Sequence, residues 1–414
     1  MKKSIPIILL LILYSSVATA ENSLEIKFTE LSINSPAGSM SPHLSTSKSN
    51  ITILNWLEPH DKGYSIKFVE LDSSWGQKLT VYDSDNMFIN WADFPSVINF
   101  NENEYAAHWL EKNGDYPYAY DAFISVSKNK GKTWSPPIMA HNDNTQTEHG
   151  FLSFYEHRNK LGYIYLDGRK MENEITDDIS NSGMSLRSGV INRDLKLEKN
   201  QNIDGLVCEC CHTDVTETDQ GPIAVYRNRS KDEKRDIHIT MFRDGEWSKS
   251  KPVYIDDWEI YGCPVNGPAI IGHDENITVA WFTGANEQSS IKVAQSTDYG
   301  LNFHEPIQIG INETAGHIDM TADENMNIWL LWQKTKDNGH IELVLTKIEK
   351  RTNKLSHMVI EKTGKTPRFS FPQITHNNGM IILAYTTVIN DSRETRSSNM
   401  KTSIKSLSFN ANLY

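Results

Sequence analysis

Phe94-Pro-Ser-Val-Ile-Asn-Phe100, then Glu104-Tyr-Ala-Ala-His-Trp-Leu-Glu111, then Tyr120-Asp-Ala-Phe-Ile-Ser-Val-Ser127 read as three short strands in succession. The first opens on a proline, the second is apolar almost throughout, and the third alternates, with Asn, Gly and Asp in the gaps. Runs of this length bounded by turn residues are strands rather than helices. The same triplet recurs along the chain. First strands start near Ser41, Phe94, Glu148, Cys210, Gly267, Gly316 and Phe371, a spacing of about 55 residues. A weaker fourth strand, such as Lys78-Leu-Thr-Val-Tyr-Asp83, ends six of the seven units. Leu24-Glu-Ile-Lys-Phe-Thr-Glu-Leu31 supplies the missing one if it pairs with the last unit. That pairing leaves no sheet edge open, and a ring of four-stranded blades is a β-propeller. The expectation is an all-β chain, a single propeller over residues 21–414 closed by an N-terminal strand. Seven blades are favoured, with six as the alternative.

Two turns between third and fourth strands carry a further signature: Ser127-Lys-Asn129-Lys-Gly131-Lys-Thr133-Trp134 and Ser296-Thr-Asp298-Tyr-Gly300-Leu-Asn302-Phe303. Both resemble the Asp-box, or BNR repeat, of the sialidase-like (neuraminidase superfamily) propellers. Its logic is local: an acidic or amide side chain caps its own turn, Gly takes a positive φ, and an aromatic ring pins the turn to the blade. Phe242-Arg-Asp244-Gly245-Glu-Trp247 is a looser version. The resemblance spans residues 21–414 at the level of fold.

Lys2 and Lys3, the apolar run from Ile5 to Leu13 and Ala18-Thr-Ala20 form a secretory leader over residues 1–20, cleaved near Ala20. A secreted or periplasmic bacterial protein is expected. No later stretch is long and apolar enough for a membrane span. The net charge of −12 argues against nucleic acid as partner, because phosphate binding needs a basic surface.

In a propeller, loops entering first strands and loops joining second to third strands share one face. Unusual residues collect in those loops: Trp91 and Asp93, Glu148 and His149, Cys208-Glu-Cys210-Cys211-His212, Cys263 to Asn266, His317, Asp167-Gly-Arg169, and Arg227 to Arg235. A funnel that takes a glycan or small molecule is therefore expected there. The sialidase resemblance implies an arginine cluster for an acidic sugar, a Tyr nucleophile activated by Glu, and an Asp acid. The matching residues are Arg169, Arg187, Arg227, Arg229 and Arg235, with Tyr226 or Tyr261, Glu148, and Asp93 or Asp167. Trp91 and Asn266 complete the ligand-binding set. The chain departs from the family near its N-terminus, where Ser35 to His43 contains no arginine. An exo-glycosidase is one reading.

The second reading rests on the cysteines, all four of which lie in two entering loops. Cys208, Cys210, Cys211 and Cys263, with His149, His212 or His317 nearby, suit a Cu or Zn ion. In an exported protein, disulfides are the competing use of the same residues. In an extended segment Cys208 and Cys210 project to one side and Cys211 to the other. A pure interaction scaffold is a third reading.

Overall fold

The computed structural model describes residues 22–157, 160–172, 179–192, 194–362, 370–389 and 401–414. The leader, residues 1–20, lies outside them. Seven antiparallel sheets stand around a common axis, each running outward in chain order. The innermost strands are Met40–Thr46, Ser96–Asn101, His149–His157, Asp214–Thr218, Ala269–His273, Thr314–Ala322 and Gln373–Asn377. They line a central channel of about 370 Å³. Seven is the blade number, and it follows from those seven starts.

Ring closure follows the expected route over a shorter length. Thr29–Glu30 pairs antiparallel with Thr402–Asn410 as the outer strand of the last blade. Asn22–Ser23 adds in parallel to Leu355–Lys362, the outer strand of the sixth. One N-terminal segment thus staples two blades. On the inside, the Thr375 hydroxyl donates to Thr46 Oγ1 at 2.8 Å, joining the last blade to the first.

Second strands sit between two neighbouring blades, so both of their faces are covered and their sequences are apolar in continuous runs. Trp56, Trp109, Trp281, Trp329 and Trp332 are completely buried there. Their indole N–H groups are satisfied by Glu58, Glu111, Asp256, Asp323 and Thr346. Truncating any of them to Ala costs about 3–5 kcal/mol.

The two signature turns share one hydrogen-bond pattern. Ser127 Oγ accepts from Gly131 N at 2.8 Å and Asn129 Oδ1 accepts from Thr133 N at 2.9 Å. Ser296 and Asp298 repeat this with Gly300 N and Asn302 N at 2.9 and 2.8 Å. Phe242 to Trp247 differs: it is a hairpin whose central residues, Asp244 and Gly245, both have positive φ. That two-residue turn matches the twist of its flanking strands.

Candidate functional site

The loops entering the inner strands and those joining second to third strands meet on one face, and the aromatic residues there close the channel. Trp91 stacks on Phe371 with centroids 5.8 Å apart, and Phe371 touches His212 and His317 at 4.2 and 4.7 Å. Phe94 lies 4.8 Å from His212. Burial holds His212 down to about 3 and His317 to about 4, so both rings are neutral members of an apolar plug. The acids, histidines and cysteines described next belong to the second to fifth blades.

Blades two and three hold a cluster of acids and histidines. The rings of His141 and His149 are parallel, 3.6 Å apart with an interplanar angle of 1°. His141 lies between Asp121 and Asp143 at 3.1 and 3.2 Å, and His149 Nε2 is 3.2 Å from Asp143. Arg169 Nη2 reaches Asp143 at 2.9 Å while its guanidinium grips Asp167 through two bonds of 2.7 and 2.6 Å. Burial alone would raise Asp167, but these Arg169 bonds outweigh it and keep the carboxyl low. Burial likewise opposes charge on His141, yet its two carboxylate partners prevail and raise it to about 9.

Beside this cluster, the Tyr120 hydroxyl donates to Glu148 Oε1 at 2.8 Å and lies 3.4 Å from Asp93 Oδ2. Burial raises Glu148 to about 7, against the Tyr120 bond and with help from the charge of Glu209. Burial raises Asp93 to about 8 although Phe151 N donates to it at 2.9 Å. A Cβ at Gly150 would stand 1.9 Å from Asp93 Oδ2, so only glycine allows this approach. Glu148 remains partly exposed.

The cysteine loop is next along the rim. Glu209 and Cys210 form a turn, not the extended segment expected, and this brings all three thiols together. Cys208 Sγ is 3.3 Å from Cys211 Sγ and 3.8 Å from Cys210 Sγ. All four cysteines are unbridged. Burial disfavours a charged Cys208, but the two neighbouring thiols and Arg235 hold it well below an ordinary thiol. Arg235 Nη1 is 3.2 Å from Cys208 Sγ, and Glu209 and Glu233 bind both Arg235 and Arg229.

The structure therefore brings together Glu148, Asp93, His149, Asp167 and Arg169 on one side, and the cysteines with Arg229 and Arg235 on the other. His149 joins the carboxylates and His212 joins the plug, so neither belongs to the buried sulfur triad of Cys208, Cys210 and Cys211. Tyr226 donates to Asp204 at 2.6 Å, and Arg187 donates to Asn200. Arg227 is buried against backbone carbonyls of Asn266, Arg235 and Phe282, with Trp258 over its face. Asn266 Oδ1 accepts from His317 N at 2.7 Å, locking two entering loops. Tyr120, Asp121, His141 and Asp143 were missed. Tyr120 and Asp121 hide in a buried third strand, and only its register against Glu148 makes them functional candidates. A cleft of about 900 Å³ opens on the opposite face between blades two and three, lined by Glu102, Lys128 and Glu198.

No family model matches the chain, and no curated protein matches it in sequence. Solved structures match it in shape. A protein of unknown function from Dyadobacter fermentans is 11% identical, with a TM-score of 0.51 over 93% of this chain and 98% of that one. Polysaccharide lyase Uly1 is 8% identical, with a TM-score of 0.51 over 90% of each chain. A variant of the NanB sialidase from Streptococcus pneumoniae is 11% identical, with a TM-score of 0.49 over 93% of this chain and 94% of that one. Among the described residues no helix is long and apolar enough to cross a membrane. The likeness is one of fold, and in fold this chain is a seven-bladed β-propeller.

Proposed function

We propose that this is an exported propeller that binds and transforms a carbohydrate at the rim of its second to fourth blades, with Glu148 exchanging a proton with the ligand. The carrying observation is Glu148 itself, partly exposed, held at about 7 by burial and bonded to Tyr120. A carboxyl poised near neutrality serves as general acid or base for cleaving a glycosidic link. Exposed aromatics on the same face, Trp91, Tyr116 and Tyr118, offer stacking surfaces for sugar rings. A polysaccharide lyase among the structural neighbours fits this substrate class. The leader at residues 1–20 supports export.

The narrower reading, hydrolysis of an acidic sugar by an arginine clamp, requires a guanidinium to leave its present partner. Arg169, Arg229 and Arg235 are held by carboxylates, and Arg187 and Arg227 by Asn200 and by backbone carbonyls. The proposal accordingly stops at carbohydrate. A panel of neutral and acidic glycosides and polysaccharides, read for both hydrolysis and unsaturated products, tests it. Glu148→Gln is expected to lower turnover about 10²–10⁴-fold. No turnover and no binding by the unaltered protein across the panel would sink the reading.

A further inference from the structure

We propose that Cys208, Cys210, Cys211 and Cys263 form a thiolate site for a soft closed-shell metal ion, Cu(I) or Zn(II), where the loops entering the fourth and fifth blades meet. Every cysteine of the chain lies in these two loops. The Sγ atoms of Cys208, Cys210 and Cys211 all fall within 4.8 Å of one another, and Cys263 stands in the adjoining entering loop. Around an ion with Zn–S bonds of about 2.3 Å, tetrahedral sulfurs stand roughly 3.8 Å apart. The Cys208–Cys210 separation is 3.8 Å and Cys208–Cys211 is 3.3 Å. A disulfide would need about 2.05 Å. The Cys208–Cys210 pair has the spacing of two ligands on one ion, the Cys208–Cys211 pair is closer, and neither is bonded.

The backbone holds this spacing. Cys208 N donates to Arg227 O at 3.0 Å and Val207 N to Met184 O at 2.9 Å, so the loop is tied to the third and fourth blades before it turns. Cys208 and Cys211 are buried, whereas Cys263 is exposed and offers an entry path. A thiolate-bound ion is a net anion, and Arg235 is the buried cation beside it. Its Nη1 lies 3.2 Å from Cys208 Sγ, it is fixed from behind by Glu209 and Glu233, and its Nε has no acceptor of its own. Such outer partners orient ligands and tune the ion. Soft sulfur donors select Cu(I) and Zn(II) over hard cations. On binding, each ligating thiol releases its proton to solvent, and no sulfur changes oxidation state.

The test uses the full-length exported protein. It is reduced without air and titrated with Cu(I) and, separately, Zn(II) against a chromophoric chelator. One equivalent is expected to bind with sulfur scattering at about 2.3 Å in X-ray absorption. Cys208→Ser and Cys263→Ser are each expected to weaken binding at least 10-fold while far-ultraviolet circular dichroism stays unchanged. Weakened binding in Cys263→Ser supports the four-sulfur site, whereas unchanged affinity in that variant overturns the assignment of Cys263 as a ligand. Should Cys208→Ser fail to fold, the exposed Cys263 variant and the absorption spectrum decide. Two intact disulfides and no bound metal in the protein as exported, or affinity indifferent to both substitutions, would overturn it. Carbohydrate turnover measured with and without chelator keeps this question separate from the role of Glu148.

Discussion

The Tyr120 hydroxyl donates a 2.8 Å hydrogen bond to Glu148 Oε1, and this bond opposes the burial that lifts the carboxyl. Tyr120→Phe removes this hydrogen bond, so Glu148 should titrate above its present value of about 7. Carbon-13 NMR of labelled glutamate reads the shift directly and needs no substrate. In turnover, the limb of the pH profile that Glu148 sets, alkaline for an acid and acidic for a base, should move upward with it. A downward or absent shift in the variant would refute the assigned direction.

His141 illustrates the opposite case, a cation stabilised by its surroundings. Its value is raised from 6.5 to about 9 by Asp121 and Asp143 despite burial. A raised histidine contributes stability that is complete below 6.5 and is lost as pH climbs through about 9. His141→Gln should therefore be less stable than the unaltered protein near pH 6, with the gap closing toward pH 10. The closure should amount to at most about 1.4 kcal/mol per pH unit. Chemical denaturation across that range measures it, and a gap that does not vary with pH would mean the imidazole is neutral.

The seven blades were legible because their cause is local. Each first strand carries its own turn residues, and each second strand carries an apolar run that two covering neighbours require. Cys208 to Cys211 were legible as chemistry but not as geometry, since a turn at Glu209 and Cys210 replaces the extended backbone that alternation assumes. Tyr120, Asp121, His141 and Asp143 were not legible at all. Tyr120 and Asp121, on a buried third strand, read as ordinary alternation until a neighbouring blade supplies their partners, whereas His141 and Asp143 lie in the loop between Ile138–Met139 and His149–His157. For the arginines the sequence shows the loop but not the partner. Their placement in funnel loops suggested ligand contacts, whereas Asp143, Asp167, Glu209 and Glu233 hold Arg169, Arg229 and Arg235 at hydrogen-bond distance.

Asp319 allows a test of how adjacent blades are tied at the axis. Its Oδ2 accepts from Ile374 N in the next blade at 2.8 Å, as Asp214 does from Ile270 N. Burial raises Asp319 from 3.8 to about 8, against the pull of that amide. A raised carboxyl contributes stability that is present below 3.8 and is lost as pH rises through about 8. Asparagine keeps an acceptor for the amide and cannot ionise. The stability of Asp319→Asn relative to the unaltered protein should improve steadily between about pH 4 and 8 and level off above that. Thermal unfolding at several pH values checks the slope, and a flat or falling difference would refute the sign.

The last prediction concerns ring closure. Removing the chain through Leu31 strips the outer strand at Thr29–Glu30 and the parallel pair at Asn22–Ser23. It also removes Ile26 from a buried cluster and Phe28 from its edge contact with Phe409 at 5.5 Å. Loss of the buried Ile26 side chain alone costs about 2–5 kcal/mol. The exposed edge of Thr402–Asn410 then becomes a template for pairing between molecules. The shortened protein should melt lower, exchange its amide hydrogens faster along Thr402–Asn410, and associate with rising concentration. Hydrogen exchange and sedimentation together decide the matter: unchanged protection of that strand in a monomer would show that the ring closes without its N-terminal staple.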